Sequence, residues 1–246
     1  QCISPTDAPT SHSMKRGFYT IMSAQFFSSL ADNALFVAAV ELLRSEGAPE
    51  WQRAALVPMF ALFYVVLAPF VGAFADALPK GKVMFVSNAI KVVGCLMMLF
   101  GSHPLIAYAV VGLGAAAYSP AKYGILTELL PASQLVKANG WIEGLTIASI
   151  ILGVLFGGQL VGQHMSHMLL GIDIPFIDTG VDTPAESAIA ALIVVYAVAA
   201  WFNTRIPHTG VEMRPMRSDP ARSIVSNTLS LLPDFWACNS RLWRDK

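Results

Sequence analysis

Six ionisable side chains lie within, or near the ends of, long apolar stretches, where each needs a partner or water. They are Asp32, Glu41, Lys91, Lys122, Glu128 and Glu143. A charge at the centre of a bilayer costs at least about 2.5 to 3.5 kcal/mol on insertion scales, so such groups indicate ion pairs, hydrated passages or binding sites. Glu41 and Glu128 come close to the ends of their stretches, which favours ordinary solvated terminal charges.

Asp32 and two lysines lie deeper in these stretches. If the stretches are helical, Asp32 lies about 22 Å from the start of the first one, Lys122 roughly 12 Å from the same side, and Lys91 about 14 Å deep. We expect Asp32 and Lys122 to pair if their helices are neighbours; the alternative is that the lysine stem extends to the membrane surface. Lys91 has the same ambiguity. Asn33 and Gln25 add polar groups to the first stretch, which favours a hydrated cavity beside it.

The segment "AAAYSPAKYGILTELLP" combines Pro120 with Lys122. A proline inside a helix removes one backbone hydrogen bond and kinks the axis. Membrane helices tolerate this where neighbours or cavity water satisfy the freed carbonyl. We expect a kink that turns the following half of the helix towards a central path, and the alternative is a purely structural bend.

The segment "GAFADALPKGK" carries a second group of charges, at residues 72–82. Gly72 permits close helix contact, Asp76 is expected where a helix ends at the cytoplasmic side, and Lys80 and Lys82 supply countercharge. Because cytoplasmic turns are generally basic, this pattern alone is only moderately specific.

Composition indicates a membrane protein. Of the 246 residues, 55% are hydrophobic and 13% charged, and the mean hydropathy is +0.57; a soluble domain carries about 25% charged residues. Sixteen basic and sixteen acidic residues balance, so no nucleic-acid partner is expected. The three cysteines form no C-x-x-C pair. His164 and His167 lack a third ligand, so we expect neither a metal site nor a cofactor.

Six apolar stretches approach the 20 residues that a membrane-spanning helix needs. None alternates like a barrel strand, so we predict an all-α membrane protein with six transmembrane helices. The predicted helices are approximately 17–43, 54–76, 83–102, 104–129, 137–163 and 185–205. Connections rich in lysine and arginine fall on one face, which places both termini in the cytoplasm.

The two ends of the chain differ from this bundle. Residues 1–16 are predicted to be a disordered cytoplasmic leader. Residues 207–246 are predicted to be a cytoplasmic linker followed by an amphipathic segment, because they are polar and proline-rich at first and then mix apolar and charged residues. We expect the chain to stop in mid-protein.

Several segments resemble a known family. Six spans with both ends inside, and a G-x-x-x-D with a basic turn between the second and third, resemble the amino-terminal half of a major facilitator superfamily transporter. More specifically, "AQFFSSLADNALFVAAVELL", "APFVGAFADALPKGKVM", "GLGAAAYSPAKYGILTELL" and "LVKANGWIEG" resemble the bacterial lysophospholipid transporter family. The resemblance covers most of residues 14–205 and is strongest at "AAAYSPAKYGIL".

The resemblance implies two six-helix halves around a central cavity, the second half being absent from this chain. It implies transport of lyso-phosphatidylethanolamine or lyso-phosphatidylglycerol to the cytoplasmic leaflet of a bacterial inner membrane, with membrane lipid around the protein and a functional link to an acyltransferase. Substrate-binding residues would be Asp32, Asn33, Lys122 and Tyr123; gating residues would be Gly72, Asp76, Lys80, Lys82 and Glu128. The residues 77–79 separate Asp76 from the basic turn, unlike the usual superfamily motif, which puts these gate contacts in question.

Two other functions are compatible with the sequence. One is a superfamily exporter of drugs or small solutes, and the other is the membrane domain of a fused lysophospholipid acyltransferase. The chain contains no H-x-x-x-x-D acyltransferase motif, nucleophile elbow or adenylate-binding loop, so we expect this segment itself not to be an enzyme.

Overall fold

The computed structural model describes residues 11–66, 78–171 and 182–206 and the isolated residues 236 and 240, with side chains from Gly17 onward. Within these ranges the secondary structure is seven α-helices without a β-strand, which confirms the predicted all-α class. The helices are α1 (Ser11–Ser45), α2 (Glu50–Val66), α3 (Lys80–Leu99), α4 (Pro104–Leu129), α5 (Ala132–Val161), α6 (Gln163–Leu170) and α7 (Pro184–Thr204).

Five of the described helices are long and apolar enough to cross a membrane, namely α1, α3, α4, α5 and α7. Helix α2 has 17 described residues and ends at Val66, next to residues 67–77, which lie outside the described ranges together with Gly72 and Asp76. Each of the six predicted stretches overlaps one described helix, namely α1 to α5 and α7. The predicted segment 207–246 also lies outside the description, apart from residues 236 and 240.

Helix boundaries follow local sequence signals. Helices α4 and α7 start with proline, whose missing N–H costs nothing at that position. Thr183 and Glu186 form a capping box at the start of α7. Helix α1 begins at Ser11, inside the predicted disordered leader, because no glycine or proline interrupts residues 11–16.

Helix α1 lies in the middle of the bundle and packs against α5, α7 and α4. Two glycines of α5 allow its backbone to approach closely. A Cβ atom on Gly153 would lie 2.6 Å from the carbonyl oxygen of Leu30, and one on Gly157 would lie 2.7 Å from that of Ala34. Small residues in membrane helices commonly allow such close packing. These two do, whereas Gly140, Gly144 and Gly158 face open space.

Among the residues that the structure describes, the apolar core consists of two clusters, one on either side of a polar layer. The larger cluster includes Ala31 to Leu43 of α1 and reaches Tyr196 of α7. The smaller includes Ile21 of α1 and residues of α4 as far as Leu129. Between them lie the buried polar side chains Ser28, Asn88 and Lys91. The fold thus holds polar groups at one level of an otherwise apolar bundle.

Candidate functional site

Asp32 is held by two hydrogen bonds from different helices. Lys91 of α3 donates from Nζ to Oδ2 at 2.7 Å, and Tyr196 of α7 donates its hydroxyl to Oδ1, also at 2.7 Å. The Lys91 side chain is 1% exposed and that of Asp32 is 17% exposed. Each carboxylate oxygen of Asp32 therefore accepts one hydrogen bond, and three helices meet at this one group.

Lys91 has further polar and aromatic contacts. Its Nζ donates to Ser28 Oγ at 2.9 Å, and Ser28 in turn donates to Asn88 Oδ1 at 2.8 Å. The same Nζ lies 5.2 Å from the ring centre of Tyr118 and 5.6 Å from that of Tyr196, within the range of a cation–π interaction. The ammonium group is thus compensated by an ion pair, a hydroxyl and two rings.

The network lies about halfway along helices that are long enough to cross a membrane. Lys91 is about 16 Å along α3 from Lys80, and Tyr196 is about 18 Å along α7 from Pro184, at about 1.5 Å per residue. Half of a hydrocarbon core of about 30 Å corresponds to roughly 15 Å. A charge buried at this depth requires a partner, and Asp32 and Lys91 provide one for each other.

The predicted pairing of Asp32 with Lys122 is wrong, because Lys91 occupies that position. Gly114 of α4 explains the outcome. A Cβ atom there would lie 2.8 Å from Cγ of Lys91, so the missing side chain makes room for the lysine stem between α1 and α4. Lys122 instead lies with its Nζ 4.4 Å from the ring centre of Tyr123.

Lys122 and Tyr123 form a second cluster with Glu143 of α5. The Tyr123 hydroxyl donates a hydrogen bond to Oε1 of Glu143. Glu143 lies close enough to Lys122 to act on it electrostatically. Lys122 is buried, but Tyr123 is 40% exposed and Glu143 is exposed as well. This cluster therefore opens on the side of the bundle that the described helices leave uncovered.

The other predicted polar groups of α1 lie against α5. Asn33 donates to the carbonyl oxygen of Ser29 at 2.8 Å, and its Cβ lies 2.9 Å from where a Cβ on Gly153 would be. Gln25 donates from Nε2 to Thr146 Oγ1 at 3.1 Å. Both side chains thus have partners at the interface between α1 and α5.

Two of the predicted gating residues lie together at the predicted cytoplasmic ends of α3 and α4. Lys80 Nζ is 3.9 Å from Oε1 of Glu128, and their side chains are 9% and 19% exposed. A Cβ atom on Gly124 would lie 3.1 Å from Cε of Lys80, so this glycine makes room for the lysine. Lys82 is exposed.

Sequence reasoning did not identify Tyr196, Ser28, Asn88 or Tyr118 as members of the polar layer. The signal was present but weak. Tyr196 lies alone in the apolar run "IAALIVVYAVAAWF", and Asn88 interrupts "VMFVSNAIKVV". Among the residues that the structure describes, no three His, Cys, Asp or Glu side chains come close enough to hold a metal ion.

The chain is similar in sequence to a known protein family and to several of its members. A family model described as Major Facilitator Superfamily matches residues 21–236. Three similar proteins, all named lysophospholipid transporter LplT, come from Yersinia enterocolitica, Cronobacter sakazakii and Yersinia pestis strain Pestoides F. Their identities are 44%, 44% and 41%, over 94%, 67% and 94% of this chain and 50%, 41% and 50% of their own length. The chain therefore spans about half the length of these relatives or less.

A solved structure shares the fold. It is the crystal structure of a bacterial homologue of the human lysosomal transporter Spinster, in an inward-facing and unoccupied conformation. The TM-score is 0.66 at 18% identity, and the match covers 87% of this chain and 47% of that one. At this identity the likeness concerns the fold alone.

Proposed function

The chain belongs to the Major Facilitator Superfamily, and on this basis we propose that it forms the amino-terminal half of a bacterial lysophospholipid transporter. The complete protein would move lyso-phosphatidylethanolamine or lyso-phosphatidylglycerol to the cytoplasmic leaflet of the inner membrane by alternating access of two halves around a midplane site. The relatives that carry this name are 41% to 44% identical to the chain. An acyltransferase would then use the transported lipid.

The proposal is supported by two charged clusters deep in the helices, one buried in the bundle and one on an open face. Asp32 and Lys91 lie inside the bundle, while Tyr123 and Glu143 open to its uncovered side. A lysolipid has a polar head and one acyl chain, so its path must be polar within and open sideways to lipid. Exposed apolar side chains of α5 such as Ile147 and Leu155 would suit the acyl chain.

The charges suit a head group that contains a phosphate. Lys122 would attract the phosphate, and Asp32, which is paired with Lys91, would exchange a proton or another cation during transport. Moving a net negative charge against a membrane potential costs about 2.3 kcal/mol per 100 mV. A zwitterionic head group carries no such cost. Asn33 of α1 would contribute a polar side chain to the same path.

The Lys80 and Glu128 pair would form part of a cytoplasmic gate. It joins the ends of α3 and α4, and breaking it would let these ends separate when the cavity opens inward. Gly72 and Asp76 precede α3 in the sequence and Lys82 lies in its first turn, so all three would belong to the same gate.

Transport of labelled lysolipid in proteoliposomes tests the proposal. The complete protein that contains this chain is reconstituted, and albumin extracts the lysolipid that stays in the outer leaflet. We expect the parental protein to move lysolipid to the inner leaflet, where albumin cannot extract it. The protected fraction of lysolipid should grow more slowly with Asp32→Asn and with Lys122→Ala. Lys137→Ala, an exposed change at the start of α5, serves as the matched control.

Two results would contradict the proposal. If both variants moved lysolipid at the parental rate, the roles given to Asp32 and Lys122 would be wrong. If the protein moved hydrophilic solutes and lysolipids neither competed nor were transported, the protein would be an exporter of small solutes instead.

A further inference from the structure

We propose that Glu143 and Tyr123 bind the ammonium group of a zwitterionic lysophospholipid while Lys122 holds its phosphate. This inference rests on the proposed function and names the head group that the same path prefers. It gives the open cluster on α4 and α5 a specific task, namely the recognition of an ethanolamine head group over a glycerol head group.

Asp32 is the more obvious acid for an ammonium ligand, but its hydrogen bonds argue against it. One carboxylate oxygen accepts from Lys91 and the other from Tyr196. Asp32 thus already accepts two hydrogen bonds, one of them from a full positive charge, and an ammonium ligand that took the place of this charge would displace Lys91, whose side chain is 1% exposed. That displacement would leave a buried ammonium group without its counter-ion, which is costly.

Glu143 has the free binding capacity that Asp32 lacks. An ionised carboxylate offers about four acceptor positions, and within the described ranges Glu143 accepts one hydrogen bond, from Tyr123. No basic nitrogen in those ranges lies within 4.0 Å of its carboxylate. Yet Glu143 lies in the middle of α5, a helix long and apolar enough to span the membrane. A carboxylate at this depth requires a cationic partner or water.

The space beside Glu143 is open. Gly140 precedes it by one turn on the same helix face, and Gly144 follows it directly; a Cβ atom on either glycine would have no neighbour within 4 Å. The exposed ring of Tyr123 borders the same space, and aromatic faces attract ammonium groups. A head group could therefore reach the carboxylate without moving a described side chain.

The signs of the charges match a zwitterion. Lys122 contributes one positive charge behind the Tyr123 ring, and Glu143 contributes one negative charge at the Tyr123 hydroxyl. A phosphate joined to an ammonium group by two carbons presents the complementary pair. The glycerol head group of lyso-phosphatidylglycerol carries the phosphate alone, so it would meet Lys122 favourably and Glu143 unfavourably.

Concentration-dependent initial rates for the two lysolipids test the inference in the complete transporter. Glu143→Gln should raise the apparent KM for lyso-phosphatidylethanolamine about tenfold or more, since a hydrogen bond between charged groups is lost. The same variant should leave the KM for lyso-phosphatidylglycerol unchanged or lower it. Tyr123→Phe, which removes the hydroxyl donor, should change the two KM values in the same directions but less.

The outcomes separate this inference from the proposed function. If Glu143→Gln slows both lysolipids equally, Glu143 pairs with a protein group, such as a basic side chain of the second half, and the inference is wrong. If the parental protein transports neither lysolipid, the proposed function itself fails. Glu143→Asp keeps the charge and should keep the preference; size-exclusion chromatography shows whether each variant is folded.

Discussion

Replacing either partner of the Asp32 and Lys91 ion pair with an apolar residue should destabilise the fold. The size of the loss depends on which partner is replaced. Asp32→Leu leaves Lys91 buried, with the Ser28 hydroxyl as its acceptor. Breaking a buried ion pair from one side costs about 3–5 kcal/mol. Lys91→Met leaves an Asp32 that is 17% exposed and still accepts from Tyr196. Because this carboxylate keeps one hydrogen bond and some solvent contact, its loss of stability should fall below that range.

Removing both charges together should restore much of the stability. Replacing a buried ion pair with apolar side chains of similar volume is often neutral or stabilising, so Asp32→Leu with Lys91→Met should be more stable than either single variant. We expect the melting temperatures to rank parental protein and double variant highest, Lys91→Met next and Asp32→Leu lowest.

The assay is thermal unfolding of the complete protein in detergent micelles, followed by the loss of the monodisperse size-exclusion peak. Lys137→Met, a change of the same type at an exposed position of α5, should leave the melting temperature unchanged. A double variant that melts below both single variants would refute the reasoning, since the two side chains would then stabilise the fold independently. So would a Lys91→Met variant that melts below Asp32→Leu.

Two further predictions concern helix contacts. Gly157→Ala should destabilise the protein by about 1–3 kcal/mol in the same melting assay, because the new methyl group would collide with the backbone of α1. The neighbouring Gly158 faces open space, so Gly158→Ala should leave the stability unchanged or raise it slightly. If both variants lost the same stability, the packing described would be contradicted. Lys80→Glu and Glu128→Lys should each slow lysolipid transport. The double variant should recover part of the rate, because the ion pair re-forms with its charges exchanged. A double variant no faster than the slower single variant would exclude an interaction between the two residues.

The helical composition and the deep position of Asp32 could be predicted because they follow from apolar length and rise per residue. The partner of Asp32 could not. Lys91 and Lys122 lie at similar depths, so depth alone does not distinguish them, and helix rotation decides which one reaches α1. That rotation depends on contacts such as the one between Gly114 and the Lys91 stem, which sequence spacing does not contain.

The open cluster was predicted only in part. Tyr123 and Lys122 were predicted to bind substrate from the resemblance of their segment to the transporter family. Glu143 was counted among the six ionisable residues in apolar stretches but was assigned no role. Its hydrogen bond with Tyr123 spans 20 residues and a helix connection. Tyr196 was missed for a different reason: an uncharged tyrosine in an apolar run is compatible with core packing, and only its contact with Asp32 distinguishes it.

The three-helix junction at Asp32 also has a consequence for how the protein is made. Lys91 follows Asp32 by 59 residues and Tyr196 follows it by 164. At about 5–20 residues per second, a ribosome synthesises Lys91 roughly 3–12 s after Asp32, and Tyr196 roughly 8–33 s after it. The first helix is therefore synthesised before either partner of its carboxylate, and until Lys91 follows, that carboxylate costs about 2.5 to 3.5 kcal/mol at the centre of a bilayer.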